Sequence, residues 1–247
     1  MSIETQDDMD GMARAGRVVA RTLARVSAAV RPGITTAELD AVAAECFNRH
    51  GARSAPALTY GFPGTICISV NDEAVHGIPC QRSLAEGDLV TLDVTAEVDG
   101  YCADAAVTLG VGAVSPRAAA LCACVRAAFA QAFAAARAGV RLRDVGGAVE
   151  REVRRRGFRV LRELCGHGIG HHIHEEPSVP NWPDPDARGV LTDGLVVTLE
   201  PIVSETTDRS RLLRDRFTVV SLDGSLTAHH EHTVLITRRR PLVLTAA

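Results

Sequence analysis

The sequence predicts an α+β fold made of two related halves that face each other across a shared site. Gly87-Asp-Leu-Val-Thr-Leu-Asp93 aligns with Gly194-Leu-Val-Val-Thr-Leu-Glu200 at an offset of 107 residues, with the two carboxylates in register. Upstream, Pro32-Gly33-Ile34 through His50-Gly51 aligns with Ala138-Gly139-Val140 through Arg156-Gly157 at nearly the same offset. Each aligned unit reads as two helices followed by strands that carry an acid.

The elements follow from periodicity and stop signals. Apolar residues at Met12, Ala15, Val19, Leu23, Val26 and Val30 recur at helical spacing, and Pro32-Gly33 stops that helix. A second helix fits Thr36 to His50, closed by Gly51. After a Gly/Pro-rich loop from Tyr60 to Gly64, short β-branched runs begin at Ile66, and Val90 to Leu109 reads as a hairpin turning near Asp99-Gly100. Two further helices fit Pro116 to Arg137 and Leu142 to Arg156. Strands and loops follow: Leu195 to Val203, Phe217 to Leu222 and Thr227 to Thr237. Asp99 and Asp223, each before a glycine, belong to turns.

Bulk composition narrows the function classes. The 247 residues are 46% hydrophobic and 23% charged, which argues against disorder and fibrous repeats. A net charge of -3 gives no electrostatic footprint for nucleic acid or an anionic membrane, although all 27 basic residues are arginine. The acidic opening (Glu4, Asp7, Asp8, Asp10) has the wrong sign for a signal peptide, and no uninterrupted apolar run of about 18 residues occurs. The seven cysteines are odd in number and lack any C-x-x-C pair, which disfavours zinc ribbons and disulfide frameworks. A reducing cytoplasm is the expected compartment.

The chemistry gathers on strand faces. Alternation puts Thr91 and Asp93 on one side, Asp104 with Thr108, Glu200 with Thr198, and Glu231 with Thr233. On adjacent hairpin strands Asp93 and Asp104 come within cross-strand reach, and like charges at that range repel unless neutralised. A shared proton or an arginine could neutralise two of them. Four carboxylates and a histidine are better satisfied by two divalent cations, and hard oxygens with one imidazole suit Mn, Fe, Co or Zn in a hydrolytic site. His167 lies among three glycines in Cys165-Gly166-His167-Gly168-Ile169-Gly170, and His76 has a similar setting in Val75-His76-Gly77-Ile78-Pro79. His50 reads as a helix-end residue. His229, His230 and His232 flank Glu231 too densely for their roles to be separated.

These motifs, with Thr91-Leu92-Asp93-Val94, Ala103-Asp104, His174-Glu175-Glu176-Pro177, Thr198-Leu199-Glu200-Pro201 and Glu231-His232-Thr233, resemble the type I methionine aminopeptidases over roughly residues 10 to 237. The resemblance implies the pseudo-two-fold pita-bread fold, an antiparallel sheet with two helix pairs on its outer face. It implies one catalytic domain over 1–247, with halves at about 10–110 and 115–237. Two divalent cations (Co, Mn, Fe or Zn) are implied, with Asp104 and Glu231 bridging, His167 and Glu200 completing one site, and Asp93 the other. In the implied reaction a hydroxide activated by the metals attacks the carbonyl of an N-terminal methionine while Glu200 serves as general base and then acid. His174 stabilises the oxyanion and His76 contacts the scissile amide nitrogen. Phe62, Cys67, Ile173 and Phe217 match the methionine pocket. The sequence departs from the commonest family pattern at Phe217, where tryptophan is frequent, at Leu164, where an aromatic is usual, and at Thr59, where tyrosine often lies. His171 and His172 crowd His174, so the assignment among the three stays open.

The implied partners are the N-termini of nascent or newly made polypeptides, met at the ribosome by a monomeric enzyme that binds neither membrane nor a specific nucleic acid. Xaa-Pro aminopeptidases and prolidases share the ligand types but normally carry an N-terminal domain, and only 75 residues precede His76. Type II methionine aminopeptidases carry a late helical insertion. The spans from His167 to Glu200 and from Glu200 to Glu231 are 33 and 31 residues, which leave no space for one. A non-catalytic ribosome- or RNA-binding relative should have lost ligands, and all five are present. Arg154 to Arg156 and Arg238 to Arg240 read as solvated surface.

Overall fold

The computed structural model describes residues 1–246. Helix α1 spans Gln6–Ala29 and starts ahead of its apolar stripe, because Thr5 and Asp8 form a capping box at its N-terminus. Two of the acids at the chain start, Asp7 and Asp8, thus occupy the first helical turn, where they favour the helix dipole. Helix α2, Thr36–His50, is closed by Gly51 in a left-handed conformation. The short α3, Ala55–Tyr60, is capped by Ser54 and falls where sequence periodicity gives no helix. Helices α4 (Pro116–Ala135) and α5 (Leu142–Arg155) complete the second pair.

Among the described residues the strand pairs are all antiparallel, and hydrogen bonding divides them into four sheets. The longest ladder joins Leu89–Val98 to Tyr101–Gly110 around a two-residue turn at Asp99-Gly100, both at positive φ. Helix α1 lies on this hairpin and α2 lies on α1, while α4 and α5 pack together over the second half. The strand expected over Leu195–Val203 is split into Val196–Leu199 and Ile202–Ser204 at Glu200-Pro201. Its partner is split into Thr227–His229 and His232–Leu235 at His230-Glu231.

The internal repeat is a repeat of backbone hydrogen bonds. Gly33 N–H donates to Leu84 O at 2.8 Å and Gly139 N–H to Leu191 O at 2.8 Å; Thr36 N–H donates to Arg82 O and Leu142 N–H to Gly189 O, both at 3.0 Å. Gly87 and Gly194 open the aligned strands at φ 92° and 85°, a conformation that disfavours any side chain. Two large apolar clusters fill the halves. One is built mainly from α1, α2 and the hairpin, and the other mainly from α4, α5 and the later strands. Among the described residues, only α4 is long and apolar enough to cross a membrane, and its Leu121, Cys124, Val125, Ala128 and Ala132 are buried in the second cluster.

Candidate metal centre in the cleft between the halves

The hairpin register sets Thr95 opposite Asp104 and Ala106 opposite Asp93, so the two aspartates are diagonal neighbours on one face. Glu231 joins them because its backbone pairs with Ala106: its N–H donates to Ala106 O at 2.9 Å, and its carbonyl accepts from Ala106 N–H at 3.3 Å. Proline at 201 has no N–H to continue the ladder, and that is where the strand carrying Glu200 breaks, facing the break that carries Glu231.

His167 sits on the strand Cys165–Gly168, beside Val196–Leu199. Thr198 ties the two strands together: its Oγ1 accepts from His167 N–H at 3.0 Å and donates to Glu200 Oε1 at 2.6 Å. With His167 Nδ1 donating to Gly168 O at 2.9 Å, the Nε2 lone pair points toward Glu200 Oε1, 3.4 Å away.

Burial sets the electrostatics. It pushes the Asp93, Glu200 and Glu231 carboxyls well above the usual carboxylate range and Asp104 up to about 6. The charge of Asp104 raises Asp93 and Glu231 further. Burial and the neighbouring His174 hold His167 down to about 4. Among the described residues, no arginine forms an ion pair with any of the four acids, so the arginine alternative is removed. Asp93 Oδ1, Asp104 Oδ1 and Glu231 Oε1 are buried with no hydrogen-bond partner. Orphaned oxygens in an acid-rich floor fit bound cations.

A cavity of about 1030 Å³ opens above this floor, lined by His76, His174, Phe62, Phe217, Cys67 and Ile173 among others. His76 is held at φ 58°, in the left-handed region, and burial together with His174 lowers its basicity. Of the crowded histidines only His174 lines the cleft: His171 packs on Tyr101 and His172 points outward. Phe62 and Phe217 meet edge to face with centroids 5.4 Å apart. Cys67 pairs directly opposite Asp93, and burial beside Asp93 keeps its thiol protonated.

Three contributors escaped the sequence reading. Tyr60, at the end of α3, places its hydroxyl 2.5 Å from His174 Nδ1, and nothing in the loop composition signals it. Thr198, which alternation places on the face of Glu200, also binds His167 N–H. His229 is fully buried with Nε2 3.3 Å from Glu231 Oε2, whereas His230 and His232 pack against Phe129 of α4. Strand alternation gives no signal for His229, because the strand ends at that residue and Glu231 lies in the break beyond it.

Three buried carboxylates and the half-buried Asp93 around an imidazole, with uncompensated oxygens at the bottom of an open cleft, define a metal-dependent hydrolase. The sequence model of metallopeptidase family M24 matches residues 10–238. A methionine aminopeptidase of Helicobacter pylori is 38% identical over 249 residues, which is 99% of this chain and 98% of that protein. A methionine aminopeptidase crystal structure from Thermotoga maritima superposes with a TM-score of 0.96 at 36% identity, covering all of both chains. A prolidase of Pyrococcus furiosus, at 21% identity and a TM-score of 0.78, shares the fold over 99% of this chain but only 65% of its own. The chain belongs to metallopeptidase family M24, has the pita-bread fold and uses divalent metal.

Proposed function

We infer that the chain is a type I methionine aminopeptidase, one catalytic domain whose two halves supply the opposite sides of a two-cation site. The observation that carries this is the set of unpaired buried oxygens on Asp93, Asp104 and Glu231 beside His167 and Glu200, beneath an apolar wall. Asp93, Asp104, His167, Glu200 and Glu231 would hold two ions, drawn from Co, Mn, Fe or Zn. When bound, the ions supply Lewis-acid polarisation of the scissile carbonyl and make water more acidic.

The chain's own groups do the rest. Glu200, whose Oε1 accepts from the Thr198 hydroxyl, takes a proton from attacking water and returns it to the leaving amide nitrogen. A Tyr60 hydroxyl donating to His174 Nδ1 keeps the proton on His174 Nε2, where it can stabilise the oxyanion. His76, across the cleft, meets the scissile amide nitrogen. Phe62, Cys67, Ile173 and Phe217 enclose the methionine side chain. The substrate is an unblocked N-terminal methionine on a nascent or newly made polypeptide, met at the ribosome by a monomeric enzyme in the cytoplasm.

The test is hydrolysis of Met-Ala-Ser against an Xaa-Pro peptide after loading with Co, Mn, Fe or Zn. Methionine release that is lost in Glu200→Ala and His167→Ala is expected. Preference for Xaa-Pro overturns the substrate class, and absence of cleavage with every metal overturns the enzyme reading in favour of a non-catalytic ribosome- or RNA-binding relative.

A further inference from the structure

We propose that His229 is an additional protein ligand, adding a second imidazole to the ion held by Glu200 and Glu231; this rests on the two-cation reading above. His229 is 1% exposed, and neither ring nitrogen has a hydrogen-bond partner. An imidazole buried without partners is costly, so a group that both fills the space and takes a lone pair resolves it. Its Nε2 lies 3.3 Å from Glu231 Oε2 and 3.8 Å from Glu200 Oε2. The Glu231 approach is close enough for a hydrogen bond in length but not in direction, since Nε2 is left without a partner.

The spacing is what a shared ion demands. Donors about 2.1 Å from one cation are about 3.0 Å apart at right angles and about 3.4 Å apart at the tetrahedral angle. The distances from His229 to the two glutamates, and the 3.4 Å from His167 Nε2 to Glu200 Oε1, sit in or near that range. One donor atom each from Glu200, His229 and Glu231 all lie within 4.8 Å of one another.

The backbone that carries the ring is also held in place. His229 N–H donates to Thr108 Oγ1 at 2.7 Å, and the Thr108 hydroxyl returns a bond to His229 O at 3.0 Å, so the backbone is fixed from the opposite half. A second nitrogen ligand in a carboxylate set favours Co and Zn over Mn.

The experiment is proton NMR of the full chain saturated with Co(II) in ordinary water, counting strongly shifted, solvent-exchangeable imidazole N–H resonances. Two resonances, one of which disappears in His229→Gln, support the proposal. One resonance in the wild type overturns it and leaves the His167 centre standing; none overturns the metal-centre reading as well. Calorimetric titration of His229→Gln should show Co(II) affinity falling at least about tenfold with a smaller loss for Mn(II). Equal affinity to wild type for both ions counts against His229. Melting of the metal-free variant establishes that it is folded before either measurement.

Discussion

Replacing Gly166 by Ala would place a methyl group 2.6 Å from Thr198 O and 3.3 Å from Thr198 Oγ1. The first is backbone of the adjoining strand, and the second is the hydroxyl that joins His167 N–H to Glu200, so neither can give way cheaply. Restoring a spacing of 3.0 to 3.4 Å requires the strand of His167 to move 0.4 to 0.8 Å from the strand that leads into Glu200. Overpacking of that kind costs about 1–3 kcal/mol of stability. The same movement separates His167 from Glu200, now 3.4 Å apart, and a misplacement approaching 1 Å in a catalytic constellation costs on the order of 100-fold in kcat/KM. Thermal melting with and without saturating Co(II), together with Met-Ala-Ser hydrolysis, measures both parts. Gly157→Ala is the control: its φ of 81° adds strain, but the space around it is open and it lies away from the metal ligands. If Gly166→Ala melts, binds Co(II) and turns over as the wild type does, this glycine does not set the ligand spacing.

Thr198→Val keeps the shape but leaves His167 N–H and Glu200 Oε1 without their shared hydroxyl, so calorimetric melting should show a loss of about 1–3 kcal/mol. Tyr60→Phe should lower kcat about tenfold, roughly one hydrogen bond of transition-state stabilisation, with KM and far-ultraviolet circular dichroism unchanged. A KM effect alone would place Tyr60 in substrate binding instead. In the metal-free protein the raised pKa values of Asp93, Glu200 and Glu231 favour the folded state at low pH and lose that contribution as pH rises through them. The buried histidines act in the opposite sense, but their depressed pKa values confine that effect to pH below about 6.5. Melting temperature of the metal-free chain should therefore fall from pH 6.5 to 8, and saturating Mn(II) should abolish the slope; a flat metal-free profile contradicts the assignment.

Much of the fold was legible because its signals are local. Gly51 and Gly157, Gly87 and Gly194, and the Asp99-Gly100 turn mark positions where backbone conformation restricts the residue type, and the repeat could be read from them. The four acids were legible because alternation puts each on a definite strand face and His167 because three glycines surround it, and all five side chains line one cleft. What was not legible depended on breaks in periodicity. Helix α3 is six residues long, below the length at which an apolar stripe can be recognised, and it carries Tyr60. The interruption at His230-Glu231 hid which of the three neighbouring histidines turns inward, since the ladder that would decide it stops there. The split at Glu200-Pro201 was hidden by an apolar run that reads continuously through it.

The stitching of Ala106 to Glu231 has a consequence for how substrate reaches the floor. Asp104 N–H and O are both bound to Thr233 Oγ1 at 2.8 Å, Val107 bridges to His230, and Ala106 pairs with Glu231, all across the seam between the halves. Parting the halves like a hinge would break these bonds and pull the Glu231 carboxylate out of the acid cluster. The seam therefore behaves as a weld, and opening motions belong to the rim, where Tyr60 and Leu212 are exposed at the mouth. Traffic through this cleft is governed by side chains at its lip, while the bonds across the seam make its base the stiff part.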